Sequence, residues 1–509
     1  MGYEYSCFAD DFHETCIEHA EDVMIIYDMG AESISYSYGE VYDYARRFLS
    51  FFADNGLQKG DTLVSIMPNS PEAIICFFAS MLGELNYAPI PCTVSKREYD
   101  NWLNLVAPKM IIKKSGIAEF NSSIKVFECE CDGDLSWLSC EQSDVNSGSS
   151  AKIYLMTSGT TGLPKAMSID SNKLWSSGKA FTQYYGIDNS GYRFWNYLPM
   201  SYLGGLFNLA LVPLCCKGSF VISEPFSGKT ILNYWNFVMR HNISALWLVP
   251  SIVQGLLKIS RLVKNKYNDE YAKTVKIAFL GTAPIRLEAK EEFEETFGIR
   301  LYENFALSES TFLTAEDEDN VRFREAGSVG IELPYASLKF IPIEGVQSIS
   351  TIWIKSPFMF DGYISTDGTI EIELDADGYF NSKDLGYLND DGILVLTGRD
   401  RDIIKKGGLF VSLAEIENVV KQIPSVEDAV AVPMKHDFYG EVYVLCVIFK
   451  QKMVAEEQKR ELHLWLLDNF VSYKMPEDIC IYDEFPRTSS GKIQKNKLIE
   501  DIEERDTNV

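Results

Sequence analysis

Apolar and polar positions run with two periods through the first eighty residues. Ser33-Ile34-Ser35-Tyr36 alternates with period two, as a strand does. Ser37-Tyr38-Gly39-Glu40 follows, a capping-box pattern that starts a helix. Val41, Ala45, Phe48 and Phe52 then share one helical face, and Gly56 ends the element. Lys59-Gly60-Asp61 leads into the apolar run Thr62 to Met67, of strand length, and Pro68-Asn69-Ser70-Pro71-Glu72 caps a second helix. Strands alternating with helices predict a sheet flanked by helices.

The same reading applies further on. Ile153-Tyr154-Leu155-Met156 breaks into Thr157-Ser158-Gly159-Thr160-Thr161-Gly162 and ends at Lys165. Ala166-Met167-Ser168-Ile169 then alternates as a second strand, so a strand–loop–strand unit is predicted. A loop of hydroxyls and glycines can aim N–H and O–H donors at an anion, because backbone that approaches a phosphate closely has no room for Cβ. It is not a Walker A loop, which would place G-K-[ST] at a helix start; here Gly162 is followed by Leu163-Pro164-Lys165. By composition alone an ordinary turn is the commoner reading. Near the end, Ser412 to Glu417 opens a helix, while Val426–Pro433 and Val442–Phe449 read as strands, a small α+β region.

The chain has 509 residues, enough for two or more domains. Its net charge of −26, without a basic run, argues against nucleic acid or an anionic membrane surface as partner. A nucleotide would need local cations or Mg²⁺ against that background. The N-terminus lacks the basic and apolar regions of a signal peptide, and the apolar span Ala73 to Leu82 is too short to cross a bilayer, so no transmembrane segment is expected. Eleven cysteines show no zinc-type spacing, which points to reduced thiols in a cytoplasmic setting. Five scattered histidines form no H-E-x-x-H.

Six segments carry candidate chemistry. They are Thr157 to Lys165; Phe194 to Gly205, containing Leu198-Pro199-Met200-Ser201-Tyr202; Leu280-Gly281-Thr282-Ala283-Pro284; Asn304-Phe305-Ala306-Leu307-Ser308-Glu309; Gly378 to Gly408, containing Lys383-Asp384 and Gly398-Arg399-Asp400-Arg401-Asp402; and Pro486-Arg487-Thr488-Ser489-Ser490-Gly491-Lys492-Ile493. Each has a bland reading: a turn, a core strand, a solvated carboxylate, an exposed lysine. Their order resembles that of the motifs of the adenylate-forming superfamily, which includes acyl-CoA synthetases, adenylation domains of peptide synthetases and luciferases.

The resemblance implies a fold and a reaction. The fold is α/β, with a large multi-sheet N-terminal adenylate-forming domain over 1–398 and a small mobile α+β C-terminal domain over 399–509. The reaction joins a carboxylic acid to ATP with Mg²⁺, giving acyl-AMP and pyrophosphate, and then passes the acyl group to the thiol of coenzyme A. It implies that Thr157, Ser158, Gly159, Thr160, Thr161, Gly162 and Lys165 face the phosphates, and that Gly281, Thr282 and Ala283 lie against adenine. Asn304, Phe305 and Ser308 would contact the nucleotide, Glu309 would hold Mg²⁺, and Asp384 and Arg399 would reach the ribose. Trp195, Tyr202 and Gly205 would line the acid pocket. Arg401 would be the hinge, Gly407 and Gly408 would let a pantetheine arm approach, and Lys492 would be the catalytic lysine, withdrawn when the small domain turns.

Adenylation domains for α-amino acids carry an aspartate for the ammonium; none matches here, so an uncharged-tail acid, fatty or aryl, is expected. Ala306 and Lys383 stand where the family has glycine, and Arg401 where it has Asp or Lys. Three alternatives stay open: loading of the phosphopantetheine of an acyl carrier protein, an oxygen-using relative, and a degenerate nucleotide-binding member with a regulatory role.

Overall fold

A computed structural model describes the chain except residues 1–2, 118–123, 146–149, 158–164, 264–268, 282–284, 344–348, 407–408, 437–438, 452–453, 471, 488–492 and 508–509. Two compact units emerge. The first comprises 1–321, 332–337 and 355–378; the second comprises 322–331, 338–354 and 379–509.

The first unit is built on two sheets. One is eight-stranded, in the order 370–371, 362–364, 165–170, 152–157, 86–89, 62–66, 110–114, 125–129. Its centre is parallel, and it turns antiparallel where strand Lys152–Thr157 meets Lys165–Asp170. Thr62–Ile66 is buried along its whole length, which is why it reads as a continuous apolar run rather than an alternating one. Helix Tyr38–Asp54 starts as its capping box predicts: the Ser37 side chain accepts from the Glu40 N–H, and Glu40 Oε2 accepts from the Ser37 N–H at 2.8 Å. Val41, Ala45, Phe48 and Phe52 are all buried on its inner face. Helix Pro71–Leu82, capped by Ser70, is buried all round, so it needs no polar face. Among the described residues, no helix is long and apolar enough to cross a membrane.

The second sheet runs through 33–37, 23–28, 219–222, 193–196, 245–248, 277–280, 302–307 and 311–315. Its strands from 23–28 to 302–307 are parallel, so the carboxyl ends of 245–248, 277–280 and 302–307 open on one edge. In open parallel sheets that edge is where ligands bind. Strand Arg193–Asn196 ends in a turn, as the aromatic run predicts. Gly204-Gly205, however, do not simply close the turn: they open a π-helix, Gly204–Leu211. A Cβ on Gly205 would come within 2.4 Å of the Pro199 carbonyl oxygen, so no side chain fits there. Asn196 Nδ2 donates to the Gly205 carbonyl at 2.9 Å and to the Leu209 carbonyl at 3.1 Å, fastening the wider turn to the sheet.

In the second unit an antiparallel sheet holds 350–355, 380–388 and 394–399 in sequence. A further sheet, ordered 409–412, 403–406, 440–449, 426–436, with 478–481 beside 440–449, carries helices Leu413–Lys421, Ala455–Asn469 and Lys495–Thr507. The two strands expected at 426–433 and 442–449 form, and each runs a few residues longer. One face buries Val411, Ile416, Leu445, Leu462 and Leu466, and the other Val430, Val444, Leu498 and Ile502. Gly398 has φ +147°, and a Cβ there would come within 2.5 Å of Ala414 Cβ on helix Leu413–Lys421. Glycine is what lets this strand and helix approach so closely.

Candidate functional site

The two strands expected to flank the hydroxyl-rich stretch form and pair antiparallel. Thr157 pairs with Lys165, Met156 with Ala166 and Leu155 with Met167, so the last ladder pair closes the loop at its neck. Ser158, Gly159, Thr160, Thr161 and Gly162 lie outside the described residues. The neck is braced from below: Lys152 Nζ donates to Asp361 at 2.9 Å and to Asp170 at 3.2 Å, and Lys173 Nζ donates to Asp361 at 2.9 Å. Burial pulls the Lys152 ammonium down, but Asp361 and Asp170 outweigh it and hold the group above its ordinary value.

The carboxyl edge of the second sheet supplies the next group. Gly281 follows strand Ile277–Leu280, and its N–H donates to the Leu248 carbonyl at 3.2 Å. Asn304 Nδ2 donates to the Leu280 carbonyl at 3.2 Å. Gly281 and Asn304 are therefore neighbours, a Cβ on the glycine falling 3.3 Å from Asn304 Oδ1. Thr282 and Ala283 lie outside the described residues. Phe305 is buried, and its N–H donates to Thr314 Oγ1 at 3.3 Å. The register with strand Thr311–Ala315 shifts at Phe305/Ala306, but Ala306 does not take a positive φ, so alanine is accommodated there.

Ser308 and Glu309 sit in the turn that reverses the chain into strand Thr311–Ala315. Thr311 takes φ +59°, an unfavourable conformation for a β-branched residue. Its hydroxyl is held by Ser177 Oγ at 2.6 Å. The turn is fixed further by two contacts to Glu309: the Phe360 N–H donates to its carbonyl at 2.7 Å, and Tyr363 O–H donates to Oε1 at 2.6 Å. Tyr363 was not legible as a site residue, because a tyrosine 54 positions away carries no local signal. Mg²⁺ is bound through one or two carboxylates plus substrate phosphate oxygens. A single anchored carboxylate at this turn fits that donor set.

The acid-pocket residues separate. Tyr202 is 42 % exposed in the turn before the π-helix, whereas Trp195 is 1 % exposed within the apolar core. Trp195 Nε1 donates to Ser223 Oγ at 2.8 Å, and its ring stacks on Phe237 at 4.0 Å. Gly205 follows both in sequence and is pressed on Pro199.

In the second unit Asp384 and Arg399 are brought together. They face each other across antiparallel strands, with Arg399 Nε 2.8 Å from Asp384 Oδ1. Lys383 has φ +61°, the left-handed region where a glycine costs least, and its side chain is exposed while Asp384 is buried. The lysine in place of a glycine thus keeps the left-handed backbone within strand Phe380–Leu388, its bulk directed to solvent. Asp400–Asp402 form a 3₁₀ turn, in which the Arg399 N–H donates to Asp402 Oδ2 at 3.1 Å. Arg401 lies in that turn. Asp402 Oδ1 in turn receives Lys495 Nζ at 2.8 Å. Lys492, Gly407 and Gly408 lie outside the described residues. The chain flanking Lys492 is described: Arg487 pairs with Ile493, and the Gln494 N–H donates to the Pro486 carbonyl at 2.8 Å.

Comparison with known proteins agrees along the chain. Residues 12–364 match the family described as AMP-binding enzyme, and 415–492 match the AMP-binding enzyme C-terminal domain. Malonate–CoA ligase of Arabidopsis thaliana is 26% identical over 70% of this chain and 61% of its own length. 4-Coumarate–CoA ligase-like 1 of the same plant is 24% identical over 95% of this chain and 92% of its own. The crystal structure of ATP-bound MatB from Rhodopseudomonas palustris superposes with a TM-score of 0.84 at 24% identity, covering 97% of this chain and 98% of that one. At that identity the likeness is one of fold.

Proposed function

The chain belongs to the AMP-binding enzyme family, and on that premise we propose that it activates a carboxylic acid with an uncharged tail, fatty or aryl, at the residues described above. It is an AMP-forming acid–thiol ligase of the acyl-CoA synthetase kind. ATP converts the acid to acyl-AMP with release of pyrophosphate, and coenzyme A then takes the acyl group. The observation that carries the site assignment is the turn at Glu309. It is tied through Tyr363 to the strand paired with the one that leaves the hydroxyl loop at Lys165.

The chemistry asks for little beyond positioning and positive charge. The attacking carboxylate is already ionised at neutral pH, its ordinary value being about 4, so no general base is needed. Charge builds on the α-phosphate oxygens, where Lys492, Lys165 and the loop donors would meet it. Glu309 would hold Mg²⁺, which when bound neutralises phosphate charge. Asp384 and Arg399 would take the ribose hydroxyls, the carboxylate accepting and the guanidinium donating. A phosphopantetheine arm on a carrier protein is the second acceptor to test.

Pyrophosphate release across a panel of fatty, aryl and short dicarboxylic acids, with coenzyme A or a loaded carrier protein as acceptor, tests this reading. No release with any acid removes it. Release with malonate alone replaces the uncharged tail by the short dicarboxylate that one relative's name gives.

Tyr202, exposed before the π-helix, would separate acid from nucleotide. Tyr202→Ala should change the preference among acids while the KM for ATP stays within a few-fold. A large rise in that KM with unchanged acid preference would place the ring at the nucleotide.

On the division expected at 398/399, residues 400–402 would be a hinge, although 379–509 lie in one compact unit. Proline fixes φ near about −65° and removes an N–H, so Arg401→Pro should impair one half-reaction far more than the other at a near-normal melting temperature. Parallel loss with a lowered melting temperature would make the segment a rigid turn.

A further inference from the structure

We propose that Tyr363 is a positioning residue that sets the orientation of the Glu309 carboxylate, an inference that rests on the reading of Glu309 as the Mg²⁺ carboxylate. Glu309 sits in a turn, where its side chain would otherwise sample several rotamers. The Tyr363 hydroxyl, donating at 2.6 Å, occupies Oε1 and so leaves Oε2 as the oxygen to meet a cation.

Tyr363 is itself held in place. Its strand, Gly362–Ile364, is antiparallel to Lys165–Asp170 in fixed register, with Tyr363 opposite Met167 and Ile364 opposite Ala166. Its ring meets Phe360 edge-on, centroids 4.9 Å apart at 70°. The same Phe360 donates its N–H to the Glu309 carbonyl, so the turn is gripped by backbone and side chain from one short segment. Asp361, between them, donates its N–H to the Ser168 carbonyl at 2.7 Å and takes both Lys152 and Lys173 on its carboxylate. The strand that leaves the phosphate loop and the carboxylate at the turn thus share one frame, and Tyr363 is its last link. A hydroxyl that orients a metal-binding carboxylate acts through preorganisation, and losing such a partner typically lowers metal affinity about 10–100-fold.

Tyr363→Phe keeps the ring and removes only the donor. Mn²⁺ binding, followed by its paramagnetic resonance in the presence of a non-hydrolysable ATP analogue, should weaken about 10–100-fold in this variant. The Mg²⁺ activation curve should shift by the same factor, with kcat largely recovered at saturating Mg²⁺, and with the KM for the acid and the melting temperature unchanged. Glu309→Gln, measured alongside, tests the underlying reading. If it leaves Mn²⁺ binding intact, Glu309 is not the metal carboxylate and the premise falls. If Glu309→Gln abolishes Mn²⁺ binding while Tyr363→Phe leaves it unchanged, the premise stands and the positioning role is overturned. A Tyr363→Phe enzyme with a lowered melting temperature and activity lost at every Mg²⁺ concentration also overturns it, making the residue structural.

Discussion

Lys492→Ala should lower acyl-adenylate formation by at least ~10²-fold, the usual loss when one donor that meets developing charge is removed. The acid is a weak, already ionised nucleophile, and its attack on the α-phosphorus drives charge onto oxygens already negative. In a chain of net charge −26 the surroundings offer no diffuse positive field to absorb it, so the load falls on a few placed cations. The flanks of the lysine are built for placement. Arg487 and Ile493 pair across the loop, and Arg487 also reaches Asp428 at 3.1 Å, fastening the loop's base to strand Val426–His436. Transfer of the acyl group from pre-formed acyl-AMP to the thiol should survive the substitution, since that step has no pentavalent phosphorus to stabilise. Pyrophosphate release and thioester formation from supplied acyl-AMP, assayed separately, decide the matter. Equal loss in both would make Lys492 a structural residue.

The second large effect concerns stability. Lys290, on helix Leu287–Phe297, is 2 % exposed, and its ammonium lies 3.0 Å from Glu303 and 2.6 Å from Glu316. Both carboxylates are buried, at 6 % and 1 % exposure. Glu316 Oε2 also accepts the Glu303 N–H at 2.9 Å, and the Glu316 carbonyl takes the Tyr185 hydroxyl at 2.6 Å. Breaking a buried ion pair from one side costs about 3–5 kcal/mol, because the charge left behind has neither water nor partner. Lys290→Met keeps most of the volume and leaves two facing carboxylates, so we expect a loss of that size in urea unfolding of the first unit. Glu316→Gln in the same chain should recover much of the loss. A single variant that unfolds like the parent protein would mean the triad contributes nothing beyond its apolar surroundings. Because Glu303 immediately precedes Asn304, the same variant also tests how far the nucleotide edge depends on this buried charge.

These two residues differ in how far the sequence exposes them. The expectation at Lys492, which falls outside the described residues, rests on local pattern: proline, hydroxyls, glycine and lysine in fixed order. The same holds for the neck at Thr157 and Lys165, where strand pattern and loop composition sit side by side. Capping by Ser37 and Ser70 is local too. Lys290 is not legible. Its helix reads as Leu-Glu-Ala-Lys-Glu-Glu-Phe-Glu-Glu-Thr-Phe, a solvated acidic surface, and only the fold brings Glu303 and Glu316 over the lysine. Tyr363 is hidden in the same way, since its partner is set by strand register. The departures at Ala306 and Lys383 were legible as departures but not as harmless ones. Backbone angles explain them: one position takes no positive φ, and the other keeps a left-handed conformation within its strand, with the side chain outside.

The π-helix after Tyr202 has a consequence for how the packing beside Tyr202 can drift through inheritance. Most packed surfaces change one side chain at a time. Gly204–Leu211 is wound wider than the α-helix Val212–Cys215 that continues it. Losing a single codon within it could let the segment tighten to the common form, and each residue of an α-helix is turned about 100° from the last. Every side chain before the lesion would then meet its neighbours at a new angle, while Val212–Cys215 and the sheet stay where they are. A lineage of this enzyme can therefore re-aim most of the side chains of Gly204–Leu211 in one deletion, a step that no single substitution reproduces.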